Sequence, residues 1–183
     1  MTKKENILSA ALSLLTQKGV HNTPMSAIAK SAGTGMGTIY NYFPNKELLI
    51  NEIYVSIKEK EKSVILAFDS SSPIKTQFEN YLKSMIGFFI KNPIYFKFME
   101  QLQASPMITE ESREQGRMAI SPILELLEKG KQDRIIKNMD INEIMMFTGG
   151  AVLSFLRWYF DNNELKKSSI ENHTKMVWDG IKE

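Results

Sequence analysis

The stretch Thr23-Pro-Met-Ser-Ala-Ile-Ala-Lys-Ser-Ala-Gly-Thr-Gly-Met-Gly-Thr-Ile-Tyr-Asn-Tyr-Phe-Pro-Asn-Lys-Glu-Leu-Leu49 decides the fold. Thr23-Pro24 marks a helix start, a hydroxyl N-cap followed by proline at the first helical position. Gly33 ends that short helix. After Thr34-Gly35 another helix runs from about Met36 to Phe43, where Pro44 breaks it. Ile39 and Phe43, four residues apart, can pack onto the Ile28, Ala29 and Ala32 side of the preceding helix. Gly37, Thr38 and Asn41 then lie broadly opposite, with Tyr40 and Tyr42 on the flanks. Hydroxyls and an amide make a poor solvent face but a sensible nucleic-acid face. They can donate to phosphate oxygens, and Asn can pair bidentately with adenine in the major groove. Lys46, in the first turn of the next helix, adds a cation where backbone N–H groups also favour phosphate.

Upstream, Thr2 and Glu5 form the T-x-x-E capping box. Ile7, Leu8, Ala11, Leu12 and Leu15 follow as one apolar stripe of helical period. Lys18-Gly19 closes this helix, with a cation in the last turn and glycine just beyond. Three short helices, with a glycine-containing turn between the second and third, are the skeleton of a helix-turn-helix.

The 23–49 stretch resembles the DNA-binding signature of the tetracycline-repressor (TetR/AcrR) family. Ile28-Ala29, Ala32-Gly33, Gly37-Thr38, Tyr40, Tyr42-Phe43, Lys46 and Leu49 fall in register with it. The resemblance implies a dimeric transcription regulator, commonly a repressor, that leaves a double-stranded operator when a small molecule binds. It places Thr23, Thr38, Tyr40, Tyr42 and Lys46 at positions that contact phosphates, and Ser26, Met36, Gly37 and Asn41 at positions that reach base edges. Two residues depart from the pattern. Gly35 stands where a serine usually caps the recognition helix, and Met36 stands where Lys, Arg or Ser is common. A cation is missing there, and apolar contact to a thymine methyl takes its place.

The rest of the chain also reads helical. Asn45 offers an N-cap for a long helix over about 46–68, which at 1.5 Å per residue would reach about 34 Å. Its Lys58-Glu-Lys-Glu-Lys62 stretch reads as polar on all sides, a solvated bridge between two lobes. Ser70-Ser71-Ser72-Pro73 is the clearest linker. It separates a DNA-binding domain, 1–49, from a larger ligand-binding and dimerisation domain, 70–183. Further helices are expected at about 74–91, 94–105, 110–137, 141–161 and 168–182, with a kink or split at Pro122. Asp140 with Glu143 and Ser168 with Glu171 match capping boxes. The fold class is all-α.

Composition excludes several functions. The 183 residues carry 23 Lys plus Arg against 21 Asp plus Glu, and no cysteine. Disulfides, cysteine-ligated zinc and a thiol nucleophile are therefore out. His21 and His173 lie in unrelated segments, so neither a metal cluster nor a catalytic pair is expected, and no cofactor is implied. An enzyme is not expected. No apolar run approaches the roughly 20 residues of a membrane span, and no signal-peptide cleavage site follows the first helix, which points to a cytoplasmic protein without a membrane partner. Residues 1–62 hold eight lysines against five glutamates, a weak basic bias compatible with a polyanion.

Aromatic and methionine stripes mark the carboxy-terminal lobe. An effector cavity is expected to be lined by some of Tyr81, Met85, Phe89, Phe96, Met99, Gln103, Met118 and Phe155. It would suit a largely apolar molecule with one or two hydrogen-bonding groups. Polar Tyr81, Glu100, Gln103, Arg117 and Arg157 are set among these stripes. The 141–161 segment is apolar nearly all round, with Gly149-Gly150 at its middle. Such a helix must be covered on all faces, so a homodimer through helices 141–161 and 168–182 is expected. The alternative is a helical small-molecule-binding or scaffold protein without operator binding.

Overall fold

The computed structural model describes residues 2–65, 71–102, 105–162 and 168–183. These residues are all-α: α1 (Lys3–Lys18), α2 (Met25–Ser31), α3 (Met36–Tyr42), α4 (Lys46–Ile65), α5 (Ile74–Lys91), α6 (Pro93–Leu102), α7 (Glu110–Ala119), α8 (Ser121–Gln132), α9 (Ile141–Asp161) and α10 (Ser168–Ile181). A single antiparallel bridge, Ile136 with Lys182, is the extended pairing among them. No helix of the described residues is long and apolar enough to cross a membrane.

Local signals set most boundaries. Thr2 accepts from the Glu5 N–H at 3.2 Å while the Glu5 carboxylate accepts from the Thr2 N–H at 2.7 Å, the reciprocal cap at the start of α1. Asn45 accepts from the Leu48 N–H at 2.8 Å and so starts α4. Asp140 caps α9 by accepting from the Asn142 N–H at 2.7 Å, one residue earlier than a capping box with Glu143 requires. The side chain of Ser168, Gln103 and the end of the 46–68 helix lie outside the described residues.

The expected helix over 110–137 is two. Ile120 interrupts it, and Pro122 lies in the first turn of α8, where its missing N–H costs nothing. α8 stops at Gln132, because Arg134 takes φ 55° and the Ile135 and Ile136 N–H groups fold back onto the Gly130 carbonyl. A Cβ on Gly130 would come within 2.5 Å of the Ile136 side chain, so a larger residue there would force Ile136 to shift.

The described residues form two compact units, one from residues up to 60 together with 92–118, the other from 61–91 and 119–183. In the first, α1 packs on α2 and on α6, and α2 on α3. Ile7, Ala11, Leu15, Ile28, Ile39, Leu49, Ile50 and Ile53 are its buried centre. Asn51 is also buried there: its amide donates to the Glu47 and Met107 carbonyls at 2.9 and 2.8 Å and accepts from the Thr109 N–H at 3.0 Å. α4 is thereby tied to the segment before α7. α7 also approaches closely, since a Cβ on Gly116 would lie 2.9 Å from the Tyr54 hydroxyl.

In the second unit, α5 packs against α8, α9 and α10, around Phe78, Leu82, Ile86, Leu127 and Leu156. Phe78 and Trp178 bring their rings to 5.7 Å. Glu61 is fully buried, although the Lys58–Lys62 stretch reads in sequence as solvated on all sides. It follows Ile53 and Ile57 at four-residue steps, which places it on the helix's inward stripe.

Candidate nucleic-acid interface

The helix-turn-helix is assembled by its turns. Gly19 ends α1 with its N–H on the Leu15 carbonyl. Gly33 takes φ 64°, the left-handed region open to glycine, while Thr34 N–H reaches back to the Ala29 carbonyl at 2.9 Å. Ile28, Ala29 and Ile39 are buried where α2 meets α3, and Phe43 is 3% exposed. α3 starts at Gly35 with no side-chain cap, as the glycine at that position leads one to expect. Substituting glycine for a hydroxyl cap costs only a few tenths of a kcal/mol.

With Ile39 turned inward, the opposite side of α3 is presented outward. At 100° per residue, Gly37 and Asn41 stand at the centre of that side, and both are exposed. Met36 and Tyr40 flank them on one edge, Thr38 and Tyr42 on the other. Met36, Tyr40 and Tyr42 are 40%, 46% and 44% exposed, large solvent-facing groups on a seven-residue helix. Ser26, on α2, is exposed as well. Gly37, Thr38, Tyr40 and Asn41 thus share the outward half of α3, Met36 and Tyr42 stand exposed where that half borders the Ile39 side, and Ser26 is on the neighbouring helix.

Two others turn inward. Thr23 is fully buried, and its hydroxyl donates to the Gly19 carbonyl at 2.8 Å and lies 3.3 Å from that of Leu14. It does not cap α2, whose N-cap is Pro24 with no side-chain bond. The hydroxyl instead bonds the Gly19 carbonyl just beyond α1 and approaches that of Leu14 within its last turns. Lys46 is half-buried, and its ammonium donates to the Val20 carbonyl at 2.7 Å and the Thr23 carbonyl at 3.2 Å. It closes the loop between α1 and α2 onto the start of α4. Sequence periodicity could not show this, because the partners lie more than twenty residues away.

The expected effector residues fall in both units. Tyr81, Met85 and Phe89 of α5 and Phe155 of α9 are buried in the second unit, where α5 and α9 pack together. Burial, with the nearby Glu61 carboxylate adding to it, raises the Tyr81 phenol far above its ordinary range, so the group stays a neutral hydrogen-bonding hydroxyl. Phe96, Met99 and Met118 belong to the first unit; Phe96 is buried and Met118 is 60% exposed. Arg117 does not converge on an apolar cleft. It is exposed and bonds the carboxylates of Glu110 and Glu114 at 2.5 and 2.7 Å along α7. Asn51 and Glu61 are among the buried polar groups that sequence reading passed over. Their signal is a polar residue falling on the inward stripe of a helix.

Comparison with known proteins agrees with this architecture. Residues 7–53 match the family of bacterial regulatory proteins, tetR family, and residues 73–182 match the tetracyclin repressor-like C-terminal domain. An uncharacterized HTH-type transcriptional regulator of Bacillus subtilis, YhgD, is 32% identical over 128 residues, 69% of this chain and 62% of that protein. The fold is shared with a TetR family transcription regulator from Marinobacter aquaeolei VT8 (TM-score 0.88, 20% identity, 99% of this chain and 96% of that one). It is also shared with the TetR-family regulator HI0893 of Haemophilus influenzae (TM-score 0.83, 19% identity, 99% and 97%). With both of its segments matched, the chain belongs to the tetR family of bacterial regulatory proteins.

Proposed function

We propose that this protein is a transcriptional repressor that binds a palindromic operator as a homodimer and is released by a small, largely apolar effector. The observation that carries the reading is the outward half of α3, where Gly37, Thr38, Tyr40 and Asn41 are presented together, bordered by exposed Met36 and Tyr42, while Ile39 anchors the helix. Residues 1–49 then act as the DNA-binding domain, and 70–183 as the ligand-binding and dimerisation domain. Dimerisation is supported by the exposed stripe of α9: Met146 is 74% exposed, Phe147 and Trp158 are both exposed, and Gly150 lies between them. Met176 of α10 is exposed as well. Apolar groups lined up this way along one helix suit a two-fold interface. Tyr81, Met85, Phe89 and Phe155 support an apolar effector, with the Tyr81 hydroxyl as its hydrogen-bonding contact. Gel-shift titration of DNA flanking the protein's own gene, at fixed salt, tests the reading. Specific retardation at nanomolar protein is expected. Equal, weak retardation of any duplex would favour a ligand-binding or scaffold protein without an operator.

A further inference from the structure

Asn41 and Gly37 stand at the centre of a recognition face without a single charged side chain, and we propose that this face reads A·T base pairs. The inference rests on the operator-binding reading and narrows it to a class of DNA: a duplex whose half-site core is A·T. Guanine is most often read by Arg or Lys, bidentate to its O6 and N7. None of the seven residues of α3 is either of these. The ammonium of Lys46, next along the chain, is directed at the Val20 and Thr23 carbonyls.

What α3 does present fits adenine and thymine. The Asn41 amide matches the N6 donor and N7 acceptor of adenine. Met36, 40% exposed, offers apolar contact to the C5-methyl of thymine. Gly37 adds an independent observation. A Cβ there would meet nothing within 4 Å, and its φ lies outside the left-handed region. Neither packing nor backbone conformation within the chain calls for glycine at 37. At the centre of the face its missing side chain lets the helix backbone approach the base edges, which brings the short Asn41 side chain within reach. Tyr40 and Tyr42, at the edges, can hold phosphates, which position without specifying.

The experiment is selection of the full-length protein on a randomised double-stranded DNA library, followed by titration of the selected duplex. Half-sites centred on A·T pairs are expected. Replacing thymine by deoxyuracil in that core removes only the methyl groups and should weaken binding several-fold. Asn41→Ala, at an exposed position, should relax preference at one adenine on the order of tenfold, with an unchanged circular dichroism spectrum. A half-site core of G·C pairs overturns the inference while leaving operator binding in place. Failure to enrich any sequence overturns both readings. A deoxyuracil duplex bound as tightly as the thymine duplex removes the methyl contacts, and an Asn41→Ala protein with unaltered preference removes the amide.

Discussion

The Lys46 ammonium donates to the Val20 carbonyl at 2.7 Å, joining the start of α4 to the loop that follows α1. The same ammonium lies 3.2 Å from the Thr23 carbonyl. A lysine placed by family resemblance against a DNA phosphate is, in the folded chain, a clasp on its own backbone. Lys46→Ala should therefore lower both the melting temperature and the operator affinity, because it frees the loop that sets α2 and α3. The log–log salt slope should stay unchanged. A direct phosphate contact would instead reduce that slope by about one unit. Titration at several salt concentrations separates the two.

Gly37→Ala should fold at least as well as the parent. The added methyl group has open space around it, and alanine is favoured over glycine within a helix by roughly 0.5–1 kcal/mol. Operator affinity should nevertheless fall by about tenfold, because the methyl group stands where the helix backbone meets the base edges. Thermal unfolding alongside gel-shift titration checks both halves. Unaltered affinity would take Gly37 out of the interface.

Gly150→Glu should convert a dimer into a monomer without unfolding it. Gly150 is exposed on the α9 stripe with Met146 and Phe147, and a Cβ there touches nothing in its own chain. Burying an unpaired carboxylate in an apolar interface is strongly unfavourable. Sedimentation at micromolar concentration should give the monomer mass for the variant and the dimer mass for the parent. A parent that sediments as a monomer would refute the interface.

His173 should make the protein acid-sensitive. Its ring lies 4.7 Å from that of Phe155, and its Nε2 is buried without a hydrogen-bond partner. Burial therefore holds the imidazole below the ordinary value of 6.5, while a hydrogen bond to the Ala151 backbone works the other way. A depressed value means that the folded state binds the proton less readily than the unfolded chain. The stability contribution is present above about 6.5 and is lost as pH falls through the folded value. Melting temperatures measured from pH 8 to pH 5 should fall towards acid, and His173→Gln should flatten that decline.

The sequence by itself determined the elements and the family. Capping residues, prolines and glycines act within four or five residues of where they stand, so α5 and α9 begin and end where the pattern sets them. The helix-turn-helix follows for the same reason: Gly33, Ile28, Ile39 and Phe43 form a short-range unit whose spacing dictates which side of α3 is outward. Only the tertiary structure decided the fates of polar groups whose partners are distant in sequence. Thr23 gives its hydroxyl to carbonyls at the end of α1, and Lys46 clasps the loop beyond it. Asn51 reaches more than fifty residues to Met107 and Thr109, and Glu61 is fully buried. A buried polar group must be bonded or shielded, but its type and spacing do not say by what. That choice arises only when the helices pack.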